Sequence, residues 1–130
     1  MNHHHILIVE SDPLAGQLKD VLLRNGYQVE IQKNGRDALW YLDQNPVSLI
    51  ICGIDLPYLD GINLWRGLKS HPDQAQVQAI FWIDTCSEAQ KLEIQALGVR
   101  GIFEKQQGIK SILNEIRNFY QQQIQNDETI

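Results

Sequence analysis

A few residues carry side chains that could do chemistry if the fold gathered them. Glu10 and Asp12 flank Ser11 directly after one apolar run, Asp55 lies just beyond a second, Thr85 just beyond a third, and Lys105 follows the last short run before the final helical segment. Carboxylates, hydroxyls and one ammonium in a shared cleft are equipment for phosphoryl chemistry: a carboxylate oxygen can act as nucleophile, and oxygen atoms can hold a hard cation. Two residues that end those runs contribute nothing to it, because Gly53 has no side chain and Ile83 an aliphatic one. The other reactive types are poorly placed. Cys52 and Cys86 show no CxxC or metal-type spacing and read as free, reduced thiols. His3, His4 and His5 form a short terminal tract without partner ligands, which reads as a tag remnant or frayed end rather than a metal site.

Whether the useful groups meet depends on the elements that carry them. Short apolar runs alternate with longer segments of helical period, the pattern of a parallel sheet covered by helices on both faces. Strands are expected over residues 5–10, 28–32, 47–53, 77–83 and 101–104; the first, third and fourth are near-continuous apolar runs, as strands buried on both faces should be. Leu14, Leu18, Val21 and Leu22 mark the inner face of a first helix, with Asp12 as N-cap, Pro13 at its first position and Asn25-Gly26 at its end. A second helix spans 36–44, with Ala38, Tyr41 and Leu42 inward, Trp40 near the surface and Pro46 as the stop. Asp60-Gly61 opens a third helix bearing Ile62, Trp65 and Leu68, and Ser87 caps a fourth bearing Leu92 and Ala96 and closed by Gly98. The last helix presents Ile109, Ile112, Leu113, Ile116 and Phe119 as one stripe. Trp65 and Trp82 read as packing residues, and the polar stretch from Gln121 is expected to fray. An open sheet of this kind binds ligands outside the carboxyl ends of its strands. That rule directs attention to residues 10–12, 53–57 and 83–85 and to Lys105.

Composition narrows the partners. At 130 residues the chain fits one domain, expected over 1–120 with 121–130 as a polar extension of the last helix or a tail. With 43% hydrophobic and 21% charged residues it has an ordinary globular balance. A net charge of −5 and 11 scattered basic residues disfavour a nucleic-acid surface. The apolar runs are too short to cross a bilayer, so a cytoplasmic protein without a membrane partner is expected.

Taken together, Ile6-Leu7-Ile8-Val9-Glu10-Ser11-Asp12-Pro13, Leu56-Pro57-Tyr58-Leu59-Asp60-Gly61, Ala96-Leu97-Gly98-Val99 and Phe103-Glu104-Lys105 make the chain resemble the receiver domain of bacterial response regulators over essentially its whole length. The resemblance implies a flavodoxin-like (CheY-like) doubly wound sheet of five parallel strands in the order 2-1-3-4-5, with five helices. It also implies a histidine kinase that donates a phosphoryl group to an Asp four residues before the Pro of the Leu-Pro turn. Here that position is Gly53. The family's Mg²⁺ is held by an acidic pair after strand one plus the acceptor; Glu10 matches the first acid, but Ser11 stands at the second. The phosphoryl-binding Thr or Ser corresponds to Ile83, Lys105 is retained, and Gln106 replaces the usual Pro. The aromatic switch residue three positions before the Lys corresponds to Ile102.

These departures predict a degenerate, non-catalytic pseudo-receiver that works by binding proteins, with no cofactor and with Mg²⁺ binding weak or absent. A Glu10–Lys105 contact is expected where the metal would sit, with the pair already neutral. The interaction surface implied by the resemblance is helix four, strand five and helix five, with Arg100, Ile102 and Lys110, in contact with a signalling component or output domain, or with a second copy. Two rivals remain: a phosphoryl group still accepted at Asp55 or Asp12, with Thr85 supplying the missing hydroxyl, or a small ligand in the vacant cleft at Gly53.

Overall fold

A computed structural model describes residues 4–74 and 76–128, with side chains described through Gln123. Five parallel strands, β1 (His5–Val9), β2 (Gln28–Gln32), β3 (Leu49–Cys52), β4 (Gln78–Ile83) and β5 (Gly101–Glu104), form one sheet in the order β2-β1-β3-β4-β5. The expected topology therefore holds. Helices α1 (Leu14–Arg24), α2 (Gly35–Gln44), α3 (Gly61–Lys69), α4 (Glu88–Ala96) and α5 (Ile109–Glu128) alternate with the strands. No helix of the described residues is long and apolar enough to cross a membrane.

The central strands form because both of their faces are buried. Leu7, Val9, Ile50, Cys52, Phe81 and Ile83 pack with α2, α3 and α4, whereas Ile6, Ile8, Leu49, Ile51, Ile80 and Trp82 pack with α1 and α5. Alternation along each strand thus feeds two cores, one per face. Trp65 is buried as expected and donates its indole N–H to the Leu97 carbonyl at 3.2 Å. The described residues include one buried side-chain polar atom without a partner, the indole nitrogen of Trp82.

Local signals set the helix starts. Asp60 and Ser87 accept hydrogen bonds from the N–H groups of Asn63 and Gln90, and the side chain of Gln90 returns to Ser87 N–H as a capping box. Asn34 caps α2 one residue earlier than expected by accepting from Asp37 N–H at 2.8 Å. Pro13 already has helical angles, and the carboxylate of Asp12 accepts the Leu14 N–H at 2.9 Å, so Asp12 performs the expected capping.

Three expectations need correction. Leu92 and Ala96 face solvent, and Ile94 is the residue of α4 that reaches the core, because the helix is rotated to close the sheet with Ile94 and half-buried Leu97. The stretch from Gln121 is helical to Glu128, because its glutamines are competent helix formers and Gln122 accepts a hydrogen bond from Arg100 at 2.8 Å. The histidine tract is not simply frayed. His5 is buried in β1 with Nε2 2.9 Å from the Tyr41 hydroxyl, and the His4 ring lies 4.5 Å from that of Tyr120; His3 lies outside the described residues.

Candidate functional site

The carboxyl ends of β1, β3, β4 and β5 deliver Glu10, Gly53, Ile83, Asp84 and Lys105 to one small cleft. Registration is tight: Val9 pairs with Cys52, Glu10 N–H donates to the Gln32 carbonyl at 3.0 Å, and Gly53 N–H donates to the Val9 carbonyl at 3.0 Å. Glu10 and Gly53 therefore emerge side by side. The cleft has a volume of about 30 Å³ and is lined by Glu10, Ile54, Asp55, Trp82, Ile83, Asp84, Thr85 and Lys105. That is room for about one water molecule.

Glu10 fills the space that position 53 leaves open. A Cβ built on Gly53 would lie 2.5 Å from Glu10 Oε1, so any side chain at position 53 displaces the carboxylate. The opposite wall is equally close, since a Cβ on Gly61 would strike the Gly53 carbonyl oxygen, and Gly61 N–H donates to the Ile54 carbonyl at 2.9 Å. Two glycines are thus required for the turn after β3 to approach both Glu10 and the start of α3.

The Glu10 carboxylate is fully engaged. Oε1 lies 2.7 Å from Lys105 Nζ, and Oε2 accepts the N–H groups of Ser11 at 2.9 Å and Asp12 at 3.2 Å. The pair is almost sealed, with side chains 6% and 8% exposed. Lys105 also reaches Asp12 Oδ2 at 3.2 Å and Asp84 Oδ2 at 3.5 Å, and its Nζ sits 5.6 Å from the centre of the Trp82 ring. The expected Glu10–Lys105 contact is present, but the expectation of a neutral pair is incomplete, because three carboxylates surround the one ammonium. Asp84 carries no sequence signal beyond its place at the end of a strand, and only the sheet geometry brings it to Lys105.

Electrostatics follow from these contacts. Burial by itself would lower the Lys105 pKa; the hydrogen bond and charge of Glu10, the bond to Asp12 and the charge of Asp84 overcome it, and the ammonium titrates above its ordinary 10.5. The Asp12 carboxyl is held below its ordinary 3.8, chiefly by the Leu14 N–H and then by Lys105. Burial pushes the Cys52 thiol far up, so this cysteine stays protonated and inert.

The remaining candidates are distributed unevenly. Ile83 is buried, packs into the core on the α2–α4 side and offers the cleft only aliphatic surface. Asp55 and Thr85 are exposed on the rim. Ser11 is exposed, and its backbone N–H is what meets Glu10. The carboxylates of Glu10, Asp12 and Asp84 converge on the Lys105 ammonium, and no group of three or more His, Cys, Asp or Glu among the described residues is arranged as a metal site. On the face of α4, β5 and α5, Arg100 bonds Glu115 at 3.1 Å and Gln122 at 2.8 Å and covers the Phe119 ring, so its guanidinium is committed within the chain. Ile102 is half-buried, Lys110 is exposed, and a groove of about 330 Å³ runs between α4 and β5 along Lys91, Gln95, Val99 and Ile102.

Residues 6–117 match the family model described as the response regulator receiver domain. The chain belongs to that family. Among curated relatives of this receiver, the transcriptional regulatory protein BaeR of Escherichia coli O6:H1 is 34% identical over 73% of the chain, which spans 40% of that protein's length. The receiver domain of a signal transduction histidine kinase from Syntrophus aciditrophicus superposes with a TM-score of 0.81 at 29% identity, covering 88% of each chain. A CheY-like receiver domain protein from Methanospirillum hungatei JF-1 gives a TM-score of 0.84 at 23% identity over 94% of this chain and 97% of its own, a likeness of fold. Receiver domains of two-component systems are signalling domains that interact with proteins such as kinases and output domains, and this receiver shares their scaffold.

Proposed function

We propose that this receiver is a pseudo-receiver: a cytoplasmic, non-catalytic domain that signals through protein contacts and does not depend on phosphorylation. The observation that carries this reading is the substitution of side chains at one point in space. Position 53 offers only backbone, and the Glu10 carboxylate stands where an acceptor side chain would project, neutralised by Lys105 at 2.7 Å. Phosphoryl transfer needs a free nucleophilic oxygen in line with the donor, with a cation to offset charge. Here the best-placed carboxylate is buried, is bonded to two backbone N–H groups and is paired with the lysine. Mg²⁺ binding is correspondingly weak or absent in this reading, because a metal at Glu10 would have to displace Lys105.

The same geometry weighs against the rivals. Asp12 spends one oxygen on the Leu14 N–H and the other on Lys105. Asp55 lies on the rim, and a pocket of about 30 Å³ is far below the roughly 300 Å³ of an ordinary ligand site. The test is incubation of the chain with a small phosphodonor and Mg²⁺, followed by intact mass at neutral pH. No adduct is expected; a stoichiometric acid-labile phosphate on Asp55 or Asp12 would overturn the proposal.

A further inference from the structure

The outer face of α2 has an arrangement that neither the cleft nor the core explains. Trp40 is 68% exposed near the middle of this ten-residue helix, with Arg36 four positions before it and Asp43 three after, all three on one face and all exposed. The two charges of this face run against the helix dipole, which favours anions in the first turn and cations in the last, whereas Asp37 on the flank runs with it. Arg36 is in the first turn and Asp43 in the last, an order that lowers the helix's own stability. The Arg36 guanidinium is also held in place, lying 4.6 Å above the ring of Tyr58, which is 77% exposed and has φ of +68°. A bulky aromatic residue in the left-handed region is strained, and here the strain maintains an exposed ring beneath a fixed cation.

We infer that this face is a self-association surface, and that its partner is a second copy of this chain with its α2 antiparallel to the first. Charge complementarity selects that occupant and that direction. At 1.5 Å rise per residue, Arg36 lies about 6 Å to one side of Trp40 along the axis and Asp43 about 4.5 Å to the other. A two-fold axis at Trp40 brings Arg36 of each copy to Asp43 of the other and stacks the two indoles at the centre. Asp37, on the other flank, meets Gln44 rather than another acid. A parallel pairing would set Arg36 against Arg36 and Asp43 against Asp43. The contact is isologous and closes on itself, so it yields dimers and not chains. A single helix pair is small by the standards of stable interfaces, so the dimer is a weak one. It lies away from the α4, β5 and α5 face and does not depend on whether the cleft is silent.

The test is sedimentation equilibrium of the full chain over a range of concentrations up to about 1 mM, a limit suited to weak association. Wild type forms dimers as concentration rises, with a blue shift of Trp40 emission; Trp65 and Trp82 are already buried. Trp40→Ser remains monomeric. Arg36→Asp and Asp43→Arg each weaken the dimer by about tenfold or more, and the two together in one chain bring it back to within about threefold of wild type, because the complementary charges are exchanged. The exchanged charges suit the helix dipole, so loss of fold is not a rival explanation, and far-ultraviolet circular dichroism checks that point. A wild-type chain that stays monomeric throughout overturns the inference. So does a dimer untouched by Trp40→Ser, which would form through another face, or a double variant no better than the singles.

Discussion

Strand β1 begins on one buried polar residue, His5, and is followed directly by another, Glu10, and the two ends of the sheet treat those residues differently. At the amino end His5 meets the Tyr41 hydroxyl, while nearby Ser48 Oγ is 2.7 Å from the Tyr120 hydroxyl and the Tyr120 ring packs against Tyr27, His4 and Phe119. These are contacts of aromatic rings and hydroxyls, and burial raises the Tyr27, Tyr41 and Tyr120 phenols, which therefore stay protonated. At the carboxyl end Glu10 faces Lys105 as a sealed ion pair ringed by further acids. A hydroxyl left without its partner can find water or a new rotamer, whereas a buried charge left without its partner must be desolvated or change protonation. The carboxyl end is therefore the more fragile of the two.

The largest effect expected is at Lys105. Lys105→Met strands the Glu10 carboxylate and should lower unfolding free energy by about 3–5 kcal/mol, measured by urea denaturation. Adding Glu10→Gln to that variant should recover most of the loss; a double variant as unstable as the single would show that the pair is not the source. Gly53→Ala comes next, at roughly 1–3 kcal/mol, because the new Cβ pushes Glu10 off the lysine. Tyr120→Phe at the neutral end should lose only about 0.5–1.5 kcal/mol, since Ser48 Oγ retains its bond to the His5 carbonyl at 3.2 Å. If Tyr120→Phe proved as damaging as Lys105→Met, the contrast between the two ends would fail.

The pH dependence sharpens the same contrast. Lys105 is raised in the folded chain, so its contribution is fully present below its ordinary 10.5 and is lost as pH rises through the higher folded value. The stability gap between wild type and Lys105→Met should stay level from neutral pH to about 10 and close above it. Asp12, held below 3.8, contributes above that value and loses its contribution as pH falls through the lower folded one. That contribution is small, because its side chain is 35% exposed. A gap that closed near neutral pH would assign the stabilisation to a group other than Lys105.

Much of this was legible in the sequence because it depends on period and on local hydrogen bonding. The doubled apolar faces of β1, β3 and β4 fix their burial, and Asp12, Asp60 and Ser87 mark helix starts with side chains that bond only a few residues ahead. The bare position at Gly53 and the aliphatic one at Ile83 could be read by counting along the chain. What counting could not supply was distance between separate strands. That Glu10 would occupy the space beside Gly53, and that Asp84 would join Lys105, depends on the register of β1 with β3 and of β4 with β5. The inner face of α4 is hidden from the sequence for a related reason. A nine-residue helix with few apolar positions has no strong stripe, and the neighbours of Ile94 decide which side turns inward.

The close fit of Glu10 against Gly53 restricts which single substitutions this corner tolerates. An aspartate placed at position 53 would have to displace the Glu10 carboxylate. Introducing that residue alone would press a second acid into a volume already holding one and leave a single lysine to serve both. Shortening Glu10 first would open a hole beside the buried ammonium. Each single step passes through a less stable intermediate, so the two positions exchange side chains without loss only when both change together.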